Sequence, residues 1–220
     1  MTQRILVWDI PTRVFHWLLV VSFAGAFWSG DSERYRDIHV VLGFTLLGLI
    51  AFRLVWGFVG TRYAQFRSFL FSPAETARYL ASLVKGNPVH YVGHNPAGSL
   101  AVFALLALGI ASGATGYMLF QDIGGEAVEE LHEVVSYAML AVVGLHVAGV
   151  LVSSVMHREN LVRSMITGFK SAEPSEGINR AYAWLGAILL ALVVAFWVGY
   201  PATGLVSPAA QAGQHGDDDD

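Results

Sequence analysis

His132 and His146 stand fourteen residues apart in one apolar stretch, and His16 and His39 each open another. On an α-helix, fourteen steps of about 100° return to within roughly 40° of the starting face, so both imidazoles point the same way about 21 Å apart along the axis. That separation corresponds to two depths of a lipid bilayer. An imidazole is costly in hydrocarbon unless it has a partner, so four in matched layers point to two metal-centred groups strung across a membrane.

The composition supports a membrane setting. Of 220 residues, 55% are hydrophobic and 14% charged, and the mean hydropathy is +0.52. This is too apolar for an ordinary soluble domain and too regular in its blocks for disorder. The chain has no cysteine, which excludes disulfides, thiolate metal sites, iron–sulfur clusters held by the chain and covalent c-type haem attachment. Any metal must be held by histidine, carboxylate or methionine. No nucleic-acid partner is expected.

Five stretches, at residues 11–30, 38–59, 98–120, 134–156 and 181–200, are long enough to span about 30 Å of hydrocarbon as helices. The first is read as a structural helix rather than a cleaved leader, being long and lacking a small-residue cleavage site. If the chain threads five times, eleven of the thirteen Lys and Arg fall on one side, leaving only Arg34 and Arg36 opposite. By the positive-inside rule the amino terminus is cytoplasmic and the carboxy terminus outside, in the periplasm or its equivalent. The outer loops at 31–37 and 121–133 are short, and the second is acidic. The inner loop at 60–97 contains an amphipathic segment, 73–83, expected to lie along the membrane surface, and 158–180 is expected to do the same.

This topology places His16 with His146 in the inner layer and His39 with His132 in the outer one. Each pair can grip a planar iron porphyrin from both faces. Haem b needs only axial ligands, burial of its macrocycle and partners for its propionates, and a bis-histidine haem has no open position on iron, so it passes electrons. Gly43, Gly48, Gly109, Gly113, Gly116, Gly144 and Gly149 can make room for the macrocycles or serve close helix packing, as the Gly109–Gly113 spacing allows. Arg13 and Arg53 are propionate candidates for the inner haem, and Arg36 for the outer one, with Arg34 the weaker choice. His90 and His94 read as surface residues, His94-Asn95-Pro96 as the cap opening the third helix. His157, eleven residues beyond His146 on nearly the same face, is a rival partner for His16.

Five segments carry a resemblance to a known family: Trp8-Asp9-Ile10-Pro11-Thr12-Arg13-Val14-Phe15-His16-Trp17, Ile38-His39-Val40-Val41-Leu42-Gly43, Phe52-Arg53-Leu54-Val55-Trp56-Gly57, Gly93-His94-Asn95-Pro96 and His157-Arg158-Glu159-Asn160-Leu161-Val162. Together with the fourth-helix histidine spacing, these resemble the bacterial cytochrome b561 and nickel–iron hydrogenase b-type cytochrome family over about residues 5–170. The resemblance implies a four-helix bundle holding two haems b through one histidine on each of the first and second helices and two on the fourth, which maps onto His16, His39, His132 and His146. It also implies electron exchange between a quinone and a periplasmic or membrane-bound partner, such as a c-type cytochrome or a hydrogenase or dehydrogenase subunit. The chain departs from the family core by a fifth helix and an acidic tail.

The expected fold class is therefore an all-α membrane protein. Residues 1–170 form the dihaem four-helix domain, and 171–220 add a transmembrane helix and an acidic periplasmic tail. The expected function is transmembrane electron transfer, with a quinone pocket near the inner haem for which Arg53, Tyr91 and His94 are candidates. Other readings are an anchor subunit of a larger redox complex, an oxidase passing electrons from superoxide or a similar small donor to quinone, or a small transporter, the last disfavoured because no repeat or broken-helix pair is present. Replacing His16 or His146 with Ala is expected to remove one haem, and replacing His39 or His132 the other, as counted by pyridine haemochrome assay. A His157→Ala chain should keep both; a count of one would make His157 an inner ligand.

Overall fold

The computed structural model describes residues 3–87 and 89–200. The elements in chain order are strand β1 (Gln3–Leu6), helices α1 (Ile10–Ser29), α2 (Arg36–Val59), α3 (Pro73–Val84), α4 (Pro96–Phe120), α5 (Gly125–Met156) and α6 (Leu161–Thr167), strand β2 (Phe169–Ala172) and helix α7 (Ala183–Gly199). Four helices, α1, α2, α4 and α5, are long and apolar enough to cross a membrane, and α7 is a shorter apolar helix. The acidic tail expected at 213–220 lies outside the described residues.

Local chemistry sets the helix starts. Asp9 caps α1 by accepting from Thr12 N at 2.7 Å, and Pro11 follows in the first turn. Ser72 and Glu75 form a reciprocal capping box on the amphipathic α3. Asn95 accepts from Gly98 N at 2.7 Å to open α4, as the His94-Asn95-Pro96 sequence indicates. Between α4 and α5 the chain turns through Gly124 and Gly125, both at positive φ, where a side chain would be strained.

The helix α5 begins earlier than the hydropathy does. Glu126, Glu129, Glu130 and Glu133, expected in a loop, form its opening turns, because glutamate is a good helix former and favours the positive end of the helix dipole. At 32 residues, α5 is about 48 Å long and projects beyond about 30 Å of hydrocarbon.

Packing is uneven. The helices form antiparallel pairs, α1 with α2 and α4 with α5; α2 also packs on α4, and α7 on α1. Among the described residues α5 makes no comparably close backbone approach to α1 or α2. Helix α7 is fixed by Val193, which packs with Phe15 and Leu49, and by Trp197, whose Nε1 donates to Thr45 Oγ1 at 2.9 Å. A Cβ on Gly186 would lie 2.5 Å from Ile10 Cγ2, so only glycine lets α7 come this close.

The all-α expectation fails at one point. Residues 158–180, expected along the membrane surface, make α6 and then β2, which pairs antiparallel with β1, Gln3 opposite Ala172 and Leu6 opposite Phe169. Val7 N and Trp8 N both donate to Gly168 O, at 2.8 and 3.0 Å. Ile5, Val7, Trp8, Tyr63 and Ala172 form a small core under the ribbon. The expected division between residues 170 and 171 therefore cuts through β2. This end of the molecule carries most of the Lys and Arg and is termed the basic end; the α2 and α5 starts lie at the acidic end.

At the basic end Asp9 is fully buried. Besides Thr12 N, its carboxylate accepts from Thr61 Oγ1 at 2.5 Å and from Trp56 Nε1 at 3.2 and 3.3 Å. One side chain thus ties α1, α2 and the following loop together. Asp9→Ala leaves three donors without their acceptor and is expected to cost roughly 2–4 kcal/mol by the usual penalties for buried unpaired groups and lost caps. Thermal unfolding of the detergent-solubilised protein against a Glu75→Ala control, whose box is solvent-exposed, checks this.

Candidate functional site

At the acidic end four helices hold two imidazoles. His39, in the first turn of α2, places Nδ1 2.8 Å from Ala26 O of α1. His132 on α5 places Nδ1 3.0 Å from Ser112 O and 3.0 Å from Thr115 Oγ1, both on α4. A carbonyl oxygen only accepts, so in each ring Nδ1 carries the proton and donates, and Nε2 keeps its lone pair. Metal-ligating imidazoles are commonly oriented in this way. The two ring centroids lie 6.1 Å apart with planes at 78°.

At the other depth, His146 on α5 lies within electrostatic reach of His16 on α1. His16 Nδ1 is enclosed and has no hydrogen-bond partner. His157 is drawn elsewhere: its ring meets that of His90 with centroids 5.3 Å apart. The histidine juxtaposed with His16 on α5 is therefore His146.

The arginines are placed as follows. Arg13 Nη2 donates to Ile166 O at 2.6 Å, and its Nε is buried without a partner. Arg53 is 4% exposed, donates from Nη1 to Ala64 O at 2.9 Å and lies over the Phe66 ring at 4.6 Å. Asp9 is within electrostatic reach of both. Arg36 is exposed at the start of α2.

His94, expected at the surface, is half-buried. Its ring packs 4.3 Å from Phe69 and 4.8 Å from Trp8 between centroids, and its Nδ1 is buried without a partner. Arg53, His146, Lys170 and His16 all lie within electrostatic reach of it. Hydropathy places residue 94 in a polar loop, and only the packing of Trp8 and Phe69 against that loop half-buries it. Asp9, Ser112 and Thr115 were given no role by the sequence; the signal for Asp9 was its place as an N-cap before Pro11.

Four long apolar helices fit a multi-pass membrane protein in which two imidazoles from different helices face each other at the acidic end. The family model for prokaryotic cytochrome b561 matches residues 7–168, and the chain belongs to that family. Its cofactor class is therefore haem b and its activity electron transport. It is 23% identical over 221 residues to a probable Ni/Fe-hydrogenase B-type cytochrome subunit of Rhizobium leguminosarum bv. viciae, covering 78% of this chain and 92% of that one. Similarity to the Rhodobacter capsulatus counterpart is 22%, covering 76% and 81% of the two chains. The probable Ni/Fe-hydrogenase 1 B-type cytochrome subunit of Escherichia coli (strain K12) is 23% identical, covering 75% and 90%. No solved structure matches the chain.

The residues present fit haem. Two metal–imidazole bonds of about 2 Å, plus about 1 Å from each ring centre to its nitrogen, sum to about 6 Å, against the 6.1 Å between His39 and His132. Among the described residues no cluster of three or more His, Cys, Asp or Glu converges, a donor set too small for a bare ion but complementary to a porphyrin that brings its own four nitrogens. The glycines divide by function. A Cβ on Gly43, one turn from His39, or on Gly149, three residues from His146, would meet nothing within 4 Å. Gly48 and Gly144 also face open space, but helical spacing puts them off the histidine faces. Those on α4 are packing glycines: a Cβ on Gly109 would lie 2.6 Å from Ile50 Cδ1, and one on Gly116 3.1 Å from His132 Cε1.

Burial, with the Arg53 charge next, lowers the His94 pKa from 6.5 to about 3. The folded state then keeps His94 neutral where the unfolded chain protonates it, so its contribution to stability is intact above pH 6.5 and is lost as pH falls toward 3. Between pH 6 and 4, stability is expected to fall by about 1 kcal/mol per pH unit from this residue. A His94→Gln chain should show a correspondingly flatter thermal unfolding profile over that range.

Proposed function

We propose that this chain is a transmembrane electron carrier that holds two haems b, one between His39 and His132 and one between His16 and His146. The 6.1 Å spacing of the outer rings, each with Nδ1 tied to a backbone carbonyl, carries this reading. A haem held by these imidazoles would supply a one-electron iron centre. Ala26 O and Ser112 O hold the outer imidazoles in the ligating tautomer. Arg13, with a spare buried Nε, and Arg53 are the propionate partners at the basic end, and Arg36 at the acidic end.

The excess of Lys and Arg supports a cytoplasmic basic end, and the family supports a bacterial inner membrane. The carboxy terminus is then periplasmic, with α7 as a fifth span; at 17 residues it covers about 26 Å and needs only slight local thinning of the bilayer. Helix α7 is an addition to the dihaem unit, whereas β2 across the expected 170/171 division belongs with β1. The names of the relatives support a nickel–iron hydrogenase as the redox partner, meeting the acidic end. Quinone is the membrane acceptor, and its place is a cleft of about 540 Å³ at the basic end whose lining includes Arg62, His90, Tyr91, His94 and Ser171.

Purified holoprotein is expected to contain two haems per chain, both reduced by the soluble quinol duroquinol. One haem or none overturns the ligand scheme, and two haems inert to quinol overturn the acceptor assignment. Gly43→Leu, filling the open space beside His39, is expected to bring the haem count toward one while α4 and α5 remain helical by circular dichroism.

A further inference from the structure

A second cleft at the basic end has no part in electron transfer. It measures about 410 Å³, and its lining includes Thr61, Arg62, Ile178, Asn179, Arg180 and Tyr182. Two guanidinium groups line it and no carboxylate does, whereas the quinone cleft also carries Glu173 and Glu176. Arg62 and Arg180 are exposed, and among the described residues neither is in an ion pair. The side chains of Asn179 and Tyr182 donate no hydrogen bond to a described residue; the Thr61 hydroxyl is committed to Asp9. Two like charges held on one cleft without a counter-charge repel each other, and an anion placed between them relieves that repulsion.

The depth of the cleft indicates which anion. Thr61 follows Gly60, the C-cap of α2, and Tyr182 is the N-cap of α7. The cleft therefore opens where one apolar helix leaves the hydrocarbon and another enters it, at the level of lipid headgroups. The Tyr182 ring meets the buried Trp56 ring edge-on, with centroids 5.5 Å apart, which fixes the start of α7 against the end of α2. In the adjoining turns Val55, Phe58 and Val59 of α2 and Trp184 and Ile188 of α7 are exposed. A free anion would use the arginines alone, whereas an amphiphile uses the arginines and this apolar surface together.

We propose that this cleft seats the phosphodiester headgroup of an anionic phospholipid from the leaflet at the basic end, held between Arg62 and Arg180, with its acyl chains against α2 and α7. This rests on the reading of α7 as a fifth span. The planar guanidinium fork matches two phosphate oxygens at once, and Asn179 and Tyr182 supply neutral donors to the rest of the headgroup. A zwitterionic lipid would bring a cation into the same space, where no carboxylate receives it, so selectivity for net negative charge follows. Arg62 belongs to the four-helix core, whereas Asn179, Arg180 and Tyr182 belong to the approach to α7. The lipid thus bridges the added helix and the core.

The test titrates full-length, haem-loaded protein in detergent with dioleoyl phosphatidylglycerol and counts bound lipid by native mass spectrometry. Lipid binding is the readout because Arg62 also borders the quinone cleft. The wild-type chain is expected to bind phosphatidylglycerol about 10-fold more tightly than dioleoyl phosphatidylcholine, and an Arg62→Gln, Arg180→Gln chain to lose on the order of 10-fold. An Arg78→Gln, Lys85→Gln chain, which removes two exposed charges outside the cleft, should bind as the wild type does. No preference for phosphatidylglycerol, or equal losses in the two double variants, overturns the seat. Displacement of the lipid by an equal concentration of inorganic phosphate makes this a free-anion site and overturns the lipid assignment. If Arg62→Gln, Arg180→Gln does not fold with full haem, Asn179→Asp, at an exposed position, must weaken phosphatidylglycerol binding instead; unchanged binding overturns the seat equally. The chain has no cysteine, so Arg78→Cys reports the basic end and Gly199→Cys, where an added Cβ meets nothing within 4 Å, the acidic end. In membrane vesicles an impermeant maleimide should reach the two from opposite sides. Labelling of both from one side overturns the fifth span and the seat with it, whereas opposite-side labelling without a lipid preference overturns the seat alone.

Discussion

Four helices free to pack as closely as their side chains allow would leave no gap between facing imidazoles. The separation of α5 from α1 and α2 is the constraint on which the rest depends. It is set by α4, which packs on both α2 and α5. Gly109 and Gly113 bring α4 down onto Ile50 and Leu47 of α2, while Gly116 admits the His132 ring on the other side. Small residues on one helix therefore fix the distance between two others. Ser112 and Thr115 on that same helix aim His132, so spacing and orientation come from a single element that carries no ligand of its own.

The basic end is organised differently. Polar groups are gathered and buried there: Asp9 accepts from α1, α2 and the loop beyond it, Arg53 reaches the carbonyl of Ala64, and Lys170 grips the loop at Tyr91 and Val92. Aromatic rings close over them, Phe66 and Phe69 on Arg53 and Trp8 with Phe69 on His94. Such a cap removes charged groups from bulk water close to the inner histidine pair, where a low dielectric makes each remaining interaction strong. The acidic end, by contrast, leaves its carboxylates in solvent along the opening turns of α5.

The spanning helices and the layering of the four histidines were legible in the sequence because both follow from one-dimensional regularities, a run of apolar residues and a fixed rotation per residue. The caps at Asn95 and Ser72 were legible for the same local reason. Contacts between distant segments were not. Nothing in Gln3–Leu6 or Phe169–Ala172 alone marks them as partners, and strands this short carry too little periodicity to read. The burial of His94 and the meeting of His90 with His157 depend on that fold-back, so a polar-looking loop concealed a packed one. The start of α5 was misjudged because hydropathy finds where a helix enters lipid, whereas glutamate propensity decides where it begins. Open space beside Gly43 and Gly149, against close packing at Gly109 and Gly113, is likewise a property of neighbours rather than of glycine.

The β1–β2 ribbon ties the first residues of the chain to a strand that emerges only after all four long helices. During synthesis, then, α1 can enter the membrane early but cannot be latched at its basic end until the ribosome has passed residue 172. His16 waits for His146 on the same schedule, whereas His39 and His132 are anchored by carbonyls of α1 and α4 that are already in place. Assembly of the two ends is thereby staggered, the acidic end maturing before the basic one.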